Sequence, residues 1–251
     1  MNFTADMKVC AIIPTYNNCS TLPDVIGDVL AVLPDVLVVN DGSTDETAQI
    51  LQSFGERISV VSYPKNRGKG YALRRGFEAA RSKGFDAAVT LDSDGQHLAS
   101  DIPVLLDAYA HNEGGIVVGS RKFNNPNMPS KNSFANRFSN FWFTVQTARR
   151  LPDTQTGFRV YPLKKLGRHN PLNNRYEAEL ELLVRCAWKD VDIINCPINV
   201  YYPPREERVS HFRPTADFVR ISLLNTVLTL LAVVYGYPSM GIRKLVKLLK
   251  K

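Results

Sequence analysis

At 251 residues, with 44% hydrophobic and 22% charged side chains, the chain is long enough for a substantial core and carries none of the compositional marks of disorder. Its four cysteines, Cys10, Cys19, Cys186 and Cys196, show no C-x-x-C spacing, which argues against a zinc site or disulfide framework and for small core residues in a reducing compartment. The net charge of +7 is concentrated: residues 205–251 hold nine Lys/Arg against three Asp/Glu, a local +6, so the body is nearly neutral and a uniformly basic nucleic-acid surface is not expected.

The N-terminal stretch MNFTADMKVCAIIP lacks the basic start and long apolar run of a signal peptide, so translocation is not expected. From there, short apolar runs alternate with amphipathic stretches, the pattern of a largely parallel sheet flanked by helices. Strands are predicted over Lys8–Ile13, Val36–Asn40, Ile58–Tyr63, Ala87–Asp92 and Gly115–Ser120. Helices are predicted between them, over Leu22–Leu33, Asp45–Phe54, Lys69–Lys83 and Ser100–Asn112.

After Ser120 the rhythm breaks. Residues 121–140 are polar and asparagine-rich, and read as a long binding loop in which Phe134, Phe138, Phe141, Trp142 and Phe143 begin to recur at helical spacing. A helix over Glu177–Trp188 and a β segment over Val191–Tyr202 follow. Ile221–Gly236 is an apolar run slightly short of the roughly 18–20 residues that cross a bilayer. The closing GIRKLVKLLKK places Ile242, Leu245, Val246 and Leu249 on one helical face and Arg243, Lys244, Lys247, Lys250 and Lys251 on the other. Such a helix suits an anionic membrane surface, although a solvated basic face on a docked helix has the same pattern.

Ligands of open α/β sheets bind beyond the carboxyl ends of the strands. Those ends read PTYNN (14–18), VNDGSTD (39–45), NRGKGYALRRG (66–76), LDSDGQH (91–97) and GSRKF (119–123). Asp92 and Asp94 follow a predicted buried strand. The pair is either an acidic turn or a seat for Mg²⁺ or Mn²⁺, hard ions that keep one or two protein carboxylates and take their remaining ligands from water and phosphate. His97 could join that ligand set, but reads more readily as a helix-entry residue. Lys69, between two glycines ahead of a helix, suits either approach to a phosphate or a plain turn; no Walker A pattern is present.

With DTQTGFRVYP (153–162), these motifs in this order resemble inverting family 2 glycosyltransferases of the GT-A fold, and within them the dolichol-phosphate mannose synthase and polyprenyl-phosphate glycosyltransferase branch. The resemblance runs from about Lys8 to Phe212. It implies an α/β, Rossmann-like, mostly parallel sheet over residues 1–212, followed by a membrane-associating helical appendage over 213–251. It implies that Pro14, Tyr16 and Asp41, with Asn17 and Asn40, hold the donor nucleotide, and that Lys69, Asp92 and Arg208 also serve the donor. Asp94, Gln96 and Asp92 would take Mg²⁺ or Mn²⁺, and Arg121 and Arg137 the acceptor's phosphate. The implied reaction moves a hexose from a GDP-mannose or UDP-glucose type donor to a polyprenyl phosphate, at the cytoplasmic side of a membrane. Two departures stand out: Asn18 occupies a position often held by glutamate, and Asn40–Asp41 replaces a pair of aspartates.

A lipid-phosphate acceptor is already anionic and needs positioning more than proton abstraction. A hydroxyl acceptor would need a carboxylate base, for which Asp153 and Glu177 are the candidates. Otherwise Asp153 is a turn residue, and Glu177, Glu179 and Glu181 a solvated stripe. Gln146–Arg150 echoes the Q-x-x-R-W of processive synthases without its tryptophan and reads as helix surface. The competing classes are a transferase acting on hydroxyl acceptors, a non-catalytic nucleotide-sugar binding subunit, and a nucleotidyltransferase. The intact D-x-D argues against the second and PTYNN after the first strand against the third.

Overall fold

The structure is a computed structural model describing residues 7–112, 114–121, 130–166, 172–202 and 214–249. Seven strands form one sheet: β1 (Val9–Thr15), β2 (Val36–Asn40), β3 (Ser59–Ser62), β4 (Ala87–Thr90), β5 (Ile116–Arg121), β6 (Arg159–Pro162) and β7 (Ile193–Ile198). Their order is β3-β2-β1-β4-β6-β5-β7. β1 pairs in parallel with β2 and β4, β2 with β3, and β5 with β7; only β6 runs antiparallel, between β4 and β5.

Strand alternation builds two cores. Ala11 and Ile13 of β1 face α1 (Leu22–Leu30) and α4 (Ile102–Ala110), where Leu22, Ile26, Ile102 and Leu105 close one layer. Cys10 and Ile12 face α3 (Lys69–Ser82), α5 (Ser130–Thr147) and α7 (Glu177–Trp188). Gly76 of α3 lies so close to β1 that an added Cβ would come within 2.6 Å of Ile12 Cγ2. Two short helices, α2 (Thr47–Ser53) and α6 (Leu163–Leu166), complete the body. Cys10, Cys186 and Cys196 are buried, Cys19 is partly exposed, and all four are free thiols.

The predicted strands and the helix over Glu177–Trp188 appear close to their expected bounds, and two elements differ. β6 was hidden inside a polar motif, with Arg159 at one end and Pro162 at the other. The stretch read as a loop is helix α5 from Ser130 onward, because its polar residues bond to the body instead of to water. Asn136 and Asn140 donate to Pro152 O (3.0 and 2.7 Å), and Ser139 shares a 2.7 Å hydrogen bond with Thr154.

The C-terminal segment is one continuous helical rod, α8 (Pro214–Leu231), a π-helical turn (Ala232–Gly236) and α9 (Tyr237–Leu249). Leu224, Leu228 and Ala232, at helical spacing, enter the same core as Phe143 of α5 and Leu183 of α7. Gln146, far from being helix surface, is fully buried and donates through Nε2 to Asn225 Oδ1 (3.0 Å) and Asn225 O (3.2 Å). Trp188 Nε1 donates to Gln146 O at 2.7 Å. Gly236 sits against the Trp188 ring, where a Cβ would lie 2.5 Å from Nε1.

Candidate active site at the carboxyl rim

Because β1, β2, β4 and β5 are parallel, their carboxyl ends share one rim, and antiparallel β6 begins at that rim. Thr90 at the end of β4 faces Arg159 at the start of β6. The segment 153–158 is therefore delivered beside Asp92 and Asp94. Thr90 Oγ1 donates to Gly157 O at 2.8 Å, fixing the two segments together.

The first loop is tied to the D-x-D turn by the residue that departs from the family pattern. Asn18 is buried and donates through Nδ2 to Ser93 O at 2.6 Å, joined by Thr21 Oγ1 on the same carbonyl at 2.6 Å. Pro14 is buried at the end of β1, and Tyr16 follows at the rim. Asn17 takes a left-handed conformation, φ 46°, and accepts Thr44 N through Oδ1 at 2.7 Å. Asn40 Oδ1 accepts Ser43 N at 3.0 Å, closing the second loop. Asp41 accepts the backbone N–H groups of Arg67 and Gly68 at 2.7 and 2.8 Å, so it shapes the glycine-lysine-glycine turn. Burial raises its carboxyl, and these two donors oppose that rise.

Lys69 is the electrostatic centre. Its Nζ lies 2.6 Å from Asp92 Oδ1 and 2.8 Å from Glu179 Oε2, and both pairs are largely shielded from solvent. Burial raises the Asp92 carboxyl, but the charge and hydrogen bond of Lys69, with smaller contributions from His97 and Arg159, together outweigh it and hold Asp92 below its ordinary range. Asp94 goes the other way: burial, then the negative charge of Asp92, push it up to about 6. Asp94 Oδ1 accepts Gln96 N at 3.0 Å, which closes the turn. Gly157 forms the back wall, where a Cβ would stand 2.7 Å from Lys69 Nζ and 2.8 Å from Asp92 Oδ2.

His97 is two residues short of the 3-10 turn Ala99–Asp101 and is not a helix-entry residue. Its ring lies 5.2 Å from that of Phe158, and its Nδ1 accepts Asp92 N at 3.3 Å. Burial depresses His97 to about 4, so it stays neutral in the fold. The unfolded chain takes up a proton below about pH 6.5 that the folded chain refuses until about pH 4, so stability is expected to fall across that window. Urea unfolding of His97→Asn should show a flatter pH profile there than the parent chain.

The other arm of the rim is an ion pair. Arg121, at the end of β5, donates to Asp153 through Nε (2.6 Å) and a terminal guanidinium nitrogen (3.0 Å), and Gln155 N donates to Asp153 at 3.0 Å. Asp153 is fully buried. Both of its oxygens are engaged, so it is an anchored carboxylate. Arg137 is exposed on α5, next to Asn136, which grips the chain just before Asp153. Arg208 lies outside the described residues.

The glutamates of α7 are no solvated stripe. The helix is enclosed, and Glu177, Glu179 and Glu181 are all buried. Glu181 accepts Leu172 N, Asn173 N and Arg185. Glu177 Oε2 has no hydrogen-bond partner among the described residues. Arg159 was also missed as a structural centre: fully buried, it donates to Thr156 O (2.7 Å), Thr154 O (2.9 Å) and Glu179 O (3.0 Å), knotting the 153–159 segment to α7.

Among the described residues, no group of three or more His, Cys, Asp and Glu could hold a metal unaided. The donor set fits an ion that brings its own ligands: two hard carboxylates, one of them raised by the charge of the other.

The chain is 28% identical over 203 residues to an undecaprenyl-phosphate mannosyltransferase of Micrococcus luteus, covering 76% of this chain and 83% of that one. It is 28% identical over 221 residues to a UDP-N-acetylglucosamine–dolichyl-phosphate N-acetylglucosaminyltransferase of Methanococcus voltae, covering 79% and 87%. The fold is shared with glucosyl-3-phosphoglycerate synthase of Mycobacterium tuberculosis, solved with Mn²⁺, UDP and glucosyl-3-phosphoglycerate (TM-score 0.66, 20% identity, covering 91% of this chain and 80% of that one). The profile of glycosyl transferase family 2 matches residues 10–167. That match spans more than half of the sequence, and the chain belongs to glycosyl transferase family 2.

Proposed function

We propose that the protein transfers a hexose, with inversion, from a nucleotide-diphosphate sugar to a polyprenyl phosphate at a membrane surface. The observation that carries the acceptor class is the Arg121–Asp153 pair: the one aspartate near the rim that could serve as a base is held in a bidentate clasp. A phosphate acceptor needs no base. It needs a positioned positive charge, and Arg121 supplies one at the rim, held in place by its carboxylate partner. The relatives from Micrococcus luteus and Methanococcus voltae bear names that place their sugars on lipid phosphates, which supports the same reading.

In that reaction the bond between the anomeric carbon and the diphosphate oxygen breaks, while a phosphate oxygen of the lipid attacks the opposite face. Asp94 and Gln96, with Asp92, would hold Mg²⁺ or Mn²⁺, which when bound neutralises charge building on the leaving diphosphate. Lys69 keeps Asp92 ionised and fixed. Pro14, Tyr16, Asn17, Asn40 and Asp41 line or shape the nucleotide's loop, and Arg208 is proposed to reach the donor diphosphate. Arg121 and Arg137 orient the lipid phosphate for in-line attack.

The C-terminal rod supports the membrane. One stretch among the described residues, Asp217–Leu249, is long and apolar enough to cross a bilayer by length and composition, and 22% of its most apolar 18-residue window is buried. Apolar side chains lie on opposite sides of the rod: Leu224 and Leu228 of α8 face the body, whereas Leu223, Val227 and Leu230 of α8 and Val233 and Val234 of the π-helical turn face outward. An outward apolar face beside the basic α9 suits a rod lying in the headgroup region at the cytoplasmic side. Residues 213–251 then act as an appendage to the 1–212 catalytic unit, fastened through the Gln146–Asn225 contact.

The test is transfer by the full chain, with Mn²⁺, from labelled GDP-mannose, UDP-glucose and UDP-N-acetylglucosamine to undecaprenyl phosphate in anionic vesicles. One donor should yield a lipid-linked sugar, and Arg121→Ala should lower that yield about a hundredfold. Transfer only to hydroxyl acceptors would overturn the acceptor class. That second reading has one observation in its favour, the unpartnered buried Oε2 of Glu177, and predicts that Glu177→Gln is inactive.

A further inference from the structure

We propose that Glu179 is a positioning residue of the donor site, acting through Lys69 to control how negative the D-x-D carboxylates remain toward a divalent cation. The proposal rests on the reading of Asp92 and Asp94 as the seat of that cation.

Two buried glutamates on α7 show the contrast. Glu181 is saturated: its oxygens accept Leu172 N, Asn173 N, Asn173 Nδ2 and the Arg185 guanidinium, a set that pins the start of α7 to its own helix. Glu179 is buried to a similar degree, yet its Oε2 meets only Lys69, and its Oε1 has no hydrogen-bond partner among the described residues. A half-satisfied buried carboxylate is costly, and natural structures keep one where it serves a purpose. Its ion-pair partner among the described residues is Lys69, which also holds Asp92, while buried Arg159 acts on both carboxylates through its charge without pairing to either side chain.

One ammonium is thus divided between two carboxylates. Alone with Lys69, Asp92 would be fully neutralised, and Asp94 would stand as the only net negative charge of the turn. With Glu179 on the other side of Nζ, one further negative charge faces the ammonium; Arg159 acts on both carboxylates whether or not Glu179 is charged, so the Glu179 charge makes the field at Asp94 more negative than it would be without it. On one side of this bridge Lys69 has little space. Gly157 walls it in, at a distance that leaves no space for even one carbon. Arg159 holds the Glu179 backbone carbonyl at 3.0 Å, fixing the helix turn from which the carboxylate projects.

The charge and the side chain can be separated. Glu179→Gln keeps the shape and a hydrogen-bond acceptor for Lys69 but removes the charge; Glu179→Asp keeps the charge. Mn²⁺ binding to the full chain, followed by water-proton relaxation with UDP or GDP present, reads the effect without turnover. E179Q should weaken Mn²⁺ about tenfold, the scale of supporting residues around metal sites, while UDP or GDP without metal binds unchanged or more tightly. E179D should bind Mn²⁺ within about twofold of the parent.

Equal Mn²⁺ affinity in E179Q and the parent overturns the proposal. So does a matching loss in E179D, parallel weakening of Mn²⁺ and metal-free nucleotide, or an E179Q chain that does not fold, since each makes the residue a packing element. Asp94→Ala is the control for the underlying reading. If the parent binds Mn²⁺ and D94A binds it equally well, the cation seat itself is misplaced, an outcome distinct from a failure of E179Q alone.

Discussion

Lys69→Met is expected to be the most damaging single substitution in the protein. It removes the ammonium that bridges Asp92 and Glu179 and leaves the two carboxylates without their shared ion-pair partner. Breaking a buried ion pair from one side costs about 3–5 kcal/mol as an upper bound here, because the abandoned Glu179 charge has little water to receive it whereas Asp92 keeps partial access to solvent. The loss should appear as a lowered urea midpoint. It should depend on pH in a definite sense: Asp92, depressed in the fold by Lys69, contributes stability above its unfolded pKa that is lost as pH falls. In K69M that contribution disappears, so the gap between parent and variant should narrow toward acid pH. Paired charge removal in Lys69→Met/Glu179→Gln should recover part of the stability and none of the transfer rate. A K69M chain as stable as the parent would mean that the bridge is not formed in solution.

Asp94→Asn is expected to have the largest effect on chemistry alone. The side chain keeps its size and can still accept Gln96 N, the contact that closes the turn, so the fold should be intact. What disappears, on the proposed reading, is the negative charge that would hold a divalent cation against the leaving diphosphate. Loss of one preorganised electrostatic contact to a developing charge costs about 10²–10³ in kcat. The measurement is single-turnover transfer at saturating donor and Mn²⁺, with near-parent thermal stability as the control. A rate within about threefold of the parent would dissociate Asp94 from the chemistry.

The sheet was legible because its strands are short apolar runs ended by polar turns, and the rim was legible because parallel strands must deliver those turns to one side. Asp92 and Asp94 could therefore be singled out from position. Their partners could not. Glu179 lies almost ninety residues beyond Asp92, on a helix whose alternating glutamates look solvated; only packing against α3 and β6 turns one of them toward Lys69. Asn18 looked like a lost family residue, yet it supplies the hydrogen bond that joins the first loop to the D-x-D turn. β6 and α5 escaped for a related reason. Their polar residues are satisfied by distant backbone, so neither carries the periodicity that a solvated face imposes. Arg121 and Asp153 were each legible as charged rim residues, but their pairing, which decides what Asp153 is free to do, is a tertiary fact.

The lone antiparallel strand bears on how the chain is made as well as on how it works. β4 and β5 are each complete by residue 121, yet they do not touch, because the place between them belongs to β6, residues 159–162. A growing chain thus carries two unsatisfied strand edges until that short segment arrives. The three-stranded unit β3-β2-β1 can close early, whereas the rim with its D-x-D turn is assembled late, by long-range pairing. Pulse-labelled hydrogen exchange during refolding should protect Val38 and Val39 before Val89 and Val117, and chains ending near residue 150 should aggregate through the exposed edges.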